Sequence, residues 1–168
     1  MATVETHLSR RLVLRSALTA ATFVGLPSWA QQRSRAFDDS KLALIIGNAD
    51  YRVKPLRNAV TDARSIATAM RESGFSIIAR ENASLASMID AMKEFWLRGR
   101  RADARVMYFS GHGIQHRGRN YLVPVDMVID NEEDVPRRAA SVDEVVEKLN
   151  ESSKGVNVVI LDDAAHRP

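Results

Sequence analysis

Four apolar runs punctuate the chain, and each stops at small or polar residues: KLALIIGNADY (41–51), FSIIAR (75–80), ARVMYFSGHG (104–113) and VNVVILDDAA (156–165). The first, third and fourth are continuous rather than alternating, the pattern of strands buried on both faces of a parallel sheet. The segments between them carry helical spacing. RNAVTDARSIATAMRESG (57–74) lines up Val60, Ala63, Ile66, Ala67 and Met70 on one stripe and stops at Gly74. SLASMIDAMKEFWLRGR (84–100) turns Leu85, Met88, Ile89, Met92, Phe95 and Trp96 to one side, with Ser84 as its cap. A loop with a short extended piece, NYLVPVD (120–126), and a helix around SVDEVVEKLNESS (141–153) precede the last run. Strands alternating with helices predict an α/β chain: a mainly parallel sheet, right-handed crossovers and helices on both faces, three layers in all. Four strands in such a sheet leave an edge open, so self-association through that edge is expected.

The N-terminus departs from this pattern. A basic stretch reaching Arg11, about 11 apolar residues from Ser16 to Leu26, and small residues at Ser28-Trp29-Ala30 make the three parts of an export signal. The apolar stretch is well short of the roughly 20 residues that span a bilayer. SRRLVLR (9–15) resembles the twin-arginine export motif. Residues 1–30 are therefore read as a signal peptide cleaved near Ala30, 31–40 as a linker, and 41–168 as the working domain, exported to a bacterial periplasm. The chain has no cysteine, so a lipobox is excluded and no stable membrane anchor is expected. Beyond Ala30 the formal charge is only +1, with 21 basic and 20 acidic residues, which gives no support to nucleic-acid binding.

The chemistry lies at two strand ends. Ser110-Gly111-His112-Gly113 breaks a buried strand at its carboxyl end to present an imidazole on a flexible turn, where open α/β sheets place their chemistry. The last run ends in Asp162-Asp163-Ala164-Ala165. His112 and His116 have no third ligand nearby and do not predict a metal site. No glycine-rich phosphate loop follows the first strand, and no cofactor is expected. Ser110 is a weak candidate for a substitute nucleophile and Asp126 for orienting the histidine. His166 reads as incidental, and the pairs Arg100-Arg101 and Arg137-Arg138 as solvated charge.

In order and spacing, IIGNADY, LRNAVTDA, YFSGHG, YLVPVD and VVILD resemble the caspase-like cysteine peptidases (peptidase family C14), in particular the bacterial metacaspase-type branch. The resemblance covers about residues 41–168, corresponding to the large-subunit (p20) portion of such a domain, and implies a Rossmann-like α/β/α fold. It implies a Cys-His hydrolase directed at Arg or Lys. His112 takes the place of the general base, and Gly113 that of the backbone N–H facing the oxyanion. Asp62 and Asp162 match the two carboxylates of the basic-residue pocket. The nucleophile position departs from the family. Ala164 stands where the cysteine belongs, or Ala165 in a register shifted by one, and neither can attack a carbonyl. The family's two further strands also have no counterpart, so the domain is expected to be incomplete, C-terminally truncated, and without peptidase activity. The partner expected from the resemblance is a protein or peptide segment carrying basic residues.

Overall fold

The computed structural model describes residues 40–128, 131–151 and 154–163. The expected signal peptide, nearly all of the expected linker, and Ala164, Ala165 and His166 lie outside them. The elements follow the predicted alternation. They are β1 (Lys41–Gly47), α1 (Ala59–Glu72), β2 (Ser76–Glu81), α2 (Leu85–Gly99), β3 (Ala104–Gly111), β4 (Gly113–His116), β5 (Arg119–Leu122), α3 (Val135–Arg138), β6 (Ala140–Ser141), α4 (Val142–Asn150) and β7 (Val156–Asp163). A 3₁₀ turn, Glu132–Asp134, leads into α3. Serines cap the two helices on the same face of the sheet: Ser84 Oγ accepts from Ser87 N–H, and Ser141 Oγ from Glu144 N–H, both at 3.3 Å.

Strands β2, β1, β3 and β7 form one parallel sheet in that order. The register aligns Glu81, Gly47, Ser110 and Asp162 in a row along the carboxyl edge. Alternating side chains then split the core. Leu42, Leu44, Ile46, Met107 and Phe109 pack with Met88 and Phe95 of α2 and Val145 and Leu149 of α4. Ala43, Ile45, Val106 and Tyr108 pack against Ala63 and Ala67 of α1. Burial on both faces is what makes β1 and β3 continuous apolar runs.

Three expectations are corrected. Ile89 does not join the inward face of α2 but is 39% exposed. The fourth apolar run, read as buried, is an edge strand in the described structure: Val156, Val158 and Ile160 are exposed on the face where α1 does not reach that far across the sheet, and Leu161 is exposed on the other face. The chain does not enter a loose loop after His112 either. It folds into an antiparallel hairpin, β4 with β5, extended by β6 into a second sheet. Arg117 and Gly118 both have positive φ, 49° and 78°, the signature of the tight turn that matches strand twist.

Candidate active site

His112 occupies the single residue between β3 and β4, and both its backbone groups are engaged. Its N–H donates to the Tyr51 hydroxyl at 3.0 Å, and its carbonyl accepts from Val123 N–H at 2.9 Å. The Tyr51 hydroxyl in turn donates to the Val123 carbonyl at 3.1 Å, which closes the ring of contacts between loop, strand and hairpin. The Tyr51 ring also lies against the imidazole, with centroids 4.4 Å apart. The turn expected to be flexible is thus pinned on three sides.

The imidazole has a defined tautomer. Its Nε2 lies 2.7 Å from the Lys54 carbonyl. A carbonyl only accepts, so Nε2 donates, and in the neutral imidazole the lone pair is then on Nδ1. Lys54 holds this geometry from a left-handed backbone conformation, φ 54°, which costs an L residue about 1–2 kcal/mol. An imidazole fixed in this way is arranged to accept a proton at Nδ1. Tyr51, Lys54 and His112 line a groove of about 690 Å³ whose other walls include Val53, Val123, Val125 and Met127. Gly113, the expected oxyanion donor, is exposed on this groove, and a Cβ added there would meet nothing nearer than the Tyr121 carbonyl at 3.9 Å.

Two side-chain amides stitch the sheet edge beneath the groove. Buried Asn48 accepts from Ala83 N–H at 2.8 Å and donates to the Val123 carbonyl at 3.1 Å. Asn82, itself at φ 47°, accepts from the N–H groups of Ala49 and Asp50 and donates to the Asp50 carboxylate. Sequence reading missed Asn48, Tyr51, Lys54 and Asn82 as site-building residues. The available signal was an asparagine directly after the strand-ending Gly47 and another after β2, at the edge where the sheet must be tied off.

The acidic residues gather on the α1 face. Asp62 sits half-buried in the first turn of α1, and Asp162 half-buried near the end of β7. Tyr108 lies between their influences. Its hydroxyl donates to Asp162 Oδ2 at 3.1 Å. Burial above all, then the Asp162 charge and that hydrogen bond, with a smaller contribution from the Asp62 charge, raise the phenol above its ordinary pKa. The structure thus holds the Asp162 carboxylate at the carboxyl edge through the Tyr108 hydroxyl, while Asp62 stands in the first turn of α1.

Other candidates fall away. Ser110 lies in the interior of the sheet, wholly buried between Gly47 and Asp162, so it cannot meet a substrate. Asp126 does not orient the histidine; its carboxylate accepts from Leu85 N–H at 3.0 Å, at the start of α2. His116 ends β4, opposite Arg119. Among the described residues no group of three His, Asp or Glu side chains converges as metal ligands would.

Comparison with known proteins bears on the family and the fold. The caspase domain family (peptidase C14) matches residues 40–167. The chain is 27% identical over 143 residues to the mouse homolog of mucosa-associated lymphoid tissue lymphoma translocation protein 1, covering 83% of this chain and 16% of that protein. It is 29% identical over 126 residues to the human protein, covering 73% and 15%. The chain thus spans about a sixth of these relatives. The crystal structure of the Drosophila initiator caspase Dronc superposes with a TM-score of 0.59 at 14% identity, over 77% of this chain and 51% of that one.

Proposed function

The chain belongs to the caspase domain family, and on that premise we propose that it is a catalytically inactive member that binds basic peptide segments without cutting them. The observation that carries the proposal is the Asp162 carboxylate held by the Tyr108 hydroxyl at 3.1 Å near the carboxyl edge of the sheet, set against a chain that contains no cysteine. The first offers a negative charge for Arg or Lys, which by the family resemblance Asp62 would join. The second removes the thiolate that a Cys-His mechanism requires, and loss of the nucleophile from such a unit costs several orders of magnitude in rate. The burial of Ser110 argues against a hydroxyl taking its place. The paired arginines and apolar stretch of the N-terminus support action outside the cytoplasm, in a periplasm.

The test is fluorescence anisotropy of a labelled Arg-containing peptide with the purified chain, followed by mass spectrometry of the peptide. The expected result is saturable binding, at least about tenfold weaker in Asp162→Asn, with the peptide intact. Cleavage by the unmodified chain that His112→Ala abolishes would overturn the inactive reading. Cleavage that appears only in Ala164→Cys would agree with it and identify the thiol as the missing group.

A further inference from the structure

Helices α2 and α4 lie on the same face of the sheet and leave a groove of about 520 Å³ between them, with Pro136 and Arg137 of α3 also on its wall. Its floor is buried apolar surface: Met92, Ala140 and Val145. Leu85, Ile89, Met92 and Trp96 recur at helical spacing and form one stripe along α2. From Leu85 to Trp96 the helix rises about 16 Å. The volume falls within the roughly 300–1,000 Å³ of sites that enclose small ligands. None of the lining residues belongs to β7, and none is shared with the groove beside His112.

The charge around this apolar floor is one-sided. Lys93 of α2, Arg137 of α3 and Lys148 of α4 line the groove against the carboxylate of Glu144. Lys93 and Arg137 already meet acids, Asp90 at 3.9 Å and Asp134 at 2.7 Å. Lys148 makes no ion pair among the described residues. Its ammonium stands 5.0 Å from the centre of the Trp96 ring, which the Arg100 guanidinium also approaches, at 5.5 Å. The indole holds the ammonium at the end of the apolar stripe without neutralising it. We propose that the groove binds a free single-chain carboxylic acid of the medium-chain fatty acid class. Its hydrocarbon lies along Leu85, Ile89, Met92 and Trp96, and its carboxylate meets Lys148. Burial of the chain supplies the affinity, and the ammonium–carboxylate pair sets which way the chain points. A recessed floor suits one chain that enters it, whereas a bilayer is met by apolar side chains that protrude.

The chain's two tryptophans are Trp29 and Trp96, so Trp29→Phe leaves Trp96 as the only indole, a reporter inside the groove. Titration of that chain with dodecanoate, below its micellar concentration, is expected to give a saturable change in indole emission with unchanged far-UV circular dichroism. Isothermal titration calorimetry on the same samples gives the Kd. Dodecylammonium, with the same chain and the opposite charge, is expected to bind at least about tenfold more weakly. Lys148→Met keeps an unbranched side chain and removes the charge; it is expected to raise the Kd for dodecanoate at least about tenfold. Ile89→Glu, at a partly exposed position, sets a carboxylate in the groove and is expected to abolish binding while the circular dichroism stays native. The proposal is overturned by a flat titration, by equal Kd values for the two head groups, or by a Kd indifferent to Lys148→Met. A flat titration would leave the groove to a helix of a partner protein or to a second copy of the chain. Retention on anionic phospholipid vesicles that Ile89→Glu abolishes, with no uptake of dodecanoate, would overturn it in favour of a membrane surface. The titrations contain no peptide, so they succeed or fail independently of basic-peptide binding.

Discussion

Tyr51 and His112 hold each other twice: the tyrosine hydroxyl accepts the histidine's backbone N–H at 3.0 Å, and its ring rests 4.4 Å from the imidazole. The first contact fixes the backbone between β3 and β4, and the second restricts the side chain. Tyr51→Phe keeps the ring and removes only the hydroxyl. It leaves a backbone N–H and the Val123 carbonyl without that partner, so the variant is expected to lose about 1–3 kcal/mol in urea denaturation. A denaturation midpoint equal to that of the unmodified chain would show that the hydroxyl is not part of what pins His112.

Tyr108 makes the acidic pocket measurable. Its phenol is raised above the ordinary value of 10.0 by burial first, then by Asp162. The neutral form is favoured in the folded state, so this group contributes stability that is fully present below pH 10 and is lost as pH rises through the higher folded value. Of the chain's three tyrosines, Tyr108 is expected to ionise late in an ultraviolet titration. Asp162→Asn removes the charge but leaves the burial, so it is expected to lower the Tyr108 pKa only partway back to that of a free phenol. A Tyr108 titration unmoved by Asp162→Asn would separate the two residues and remove the physical basis for the pocket.

The contrast between what the sequence revealed and what it hid has a physical origin. Strands β1 and β3 were legible because burial on both faces writes a continuous apolar run, and His112 because glycines on both sides mark a break at the sheet edge. The β4–β5 hairpin was not legible: its strands are four residues each, and its turn depends on Arg117 adopting a positive φ that arginine rarely takes. β7 was misjudged because Val156 to Leu161 is as apolar as a buried strand, and sequence alone does not say which strand ends up at the edge. The partners of His112 were missed because two of its contacts are made by a side-chain hydroxyl and a main-chain carbonyl some sixty residues away, 61 and 58 positions respectively.

The two glycines around His112 are expected to behave differently. A Cβ at Gly111 would lie 2.6 Å from both the Phe109 ring and the Tyr51 hydroxyl, so Gly111→Ala must displace one of them. A loss of about 1–3 kcal/mol is expected, in keeping with overpacked interiors. Gly113→Ala meets only the Tyr121 carbonyl at 3.9 Å and is expected to stay within about 0.5 kcal/mol of the unmodified chain. Thermal denaturation of the two variants side by side decides the point. Equal melting temperatures would mean that Tyr51 is not as closely seated on Gly111 as the structure has it.

Among the described residues Arg105 is the largest wholly buried side chain, and its hydrogen bonds there include no carboxylate. Its guanidinium donates to the Gly99 carbonyl at 2.6 Å, to Asn157 Oδ1 at 2.6 Å and to the Lys154 carbonyl. Those three acceptors belong to the end of α2, the start of β7 and the turn before it, so one side chain ties the two connections that flank β3. Its planar fork reaches all three at once, and the delocalised charge tolerates burial better than a compact ammonium does. Arg105→Leu fills much of the space but leaves buried acceptors unpaired, with an expected loss of about 3 kcal/mol or more. Arg105→Lys retains the charge but lacks the fork, so it is expected to recover only a small part of that loss. Urea denaturation of both variants provides the check. Full stability in Arg105→Lys would show that charge alone is what this position needs, and that the three-way connection to β7 is incidental to the fold.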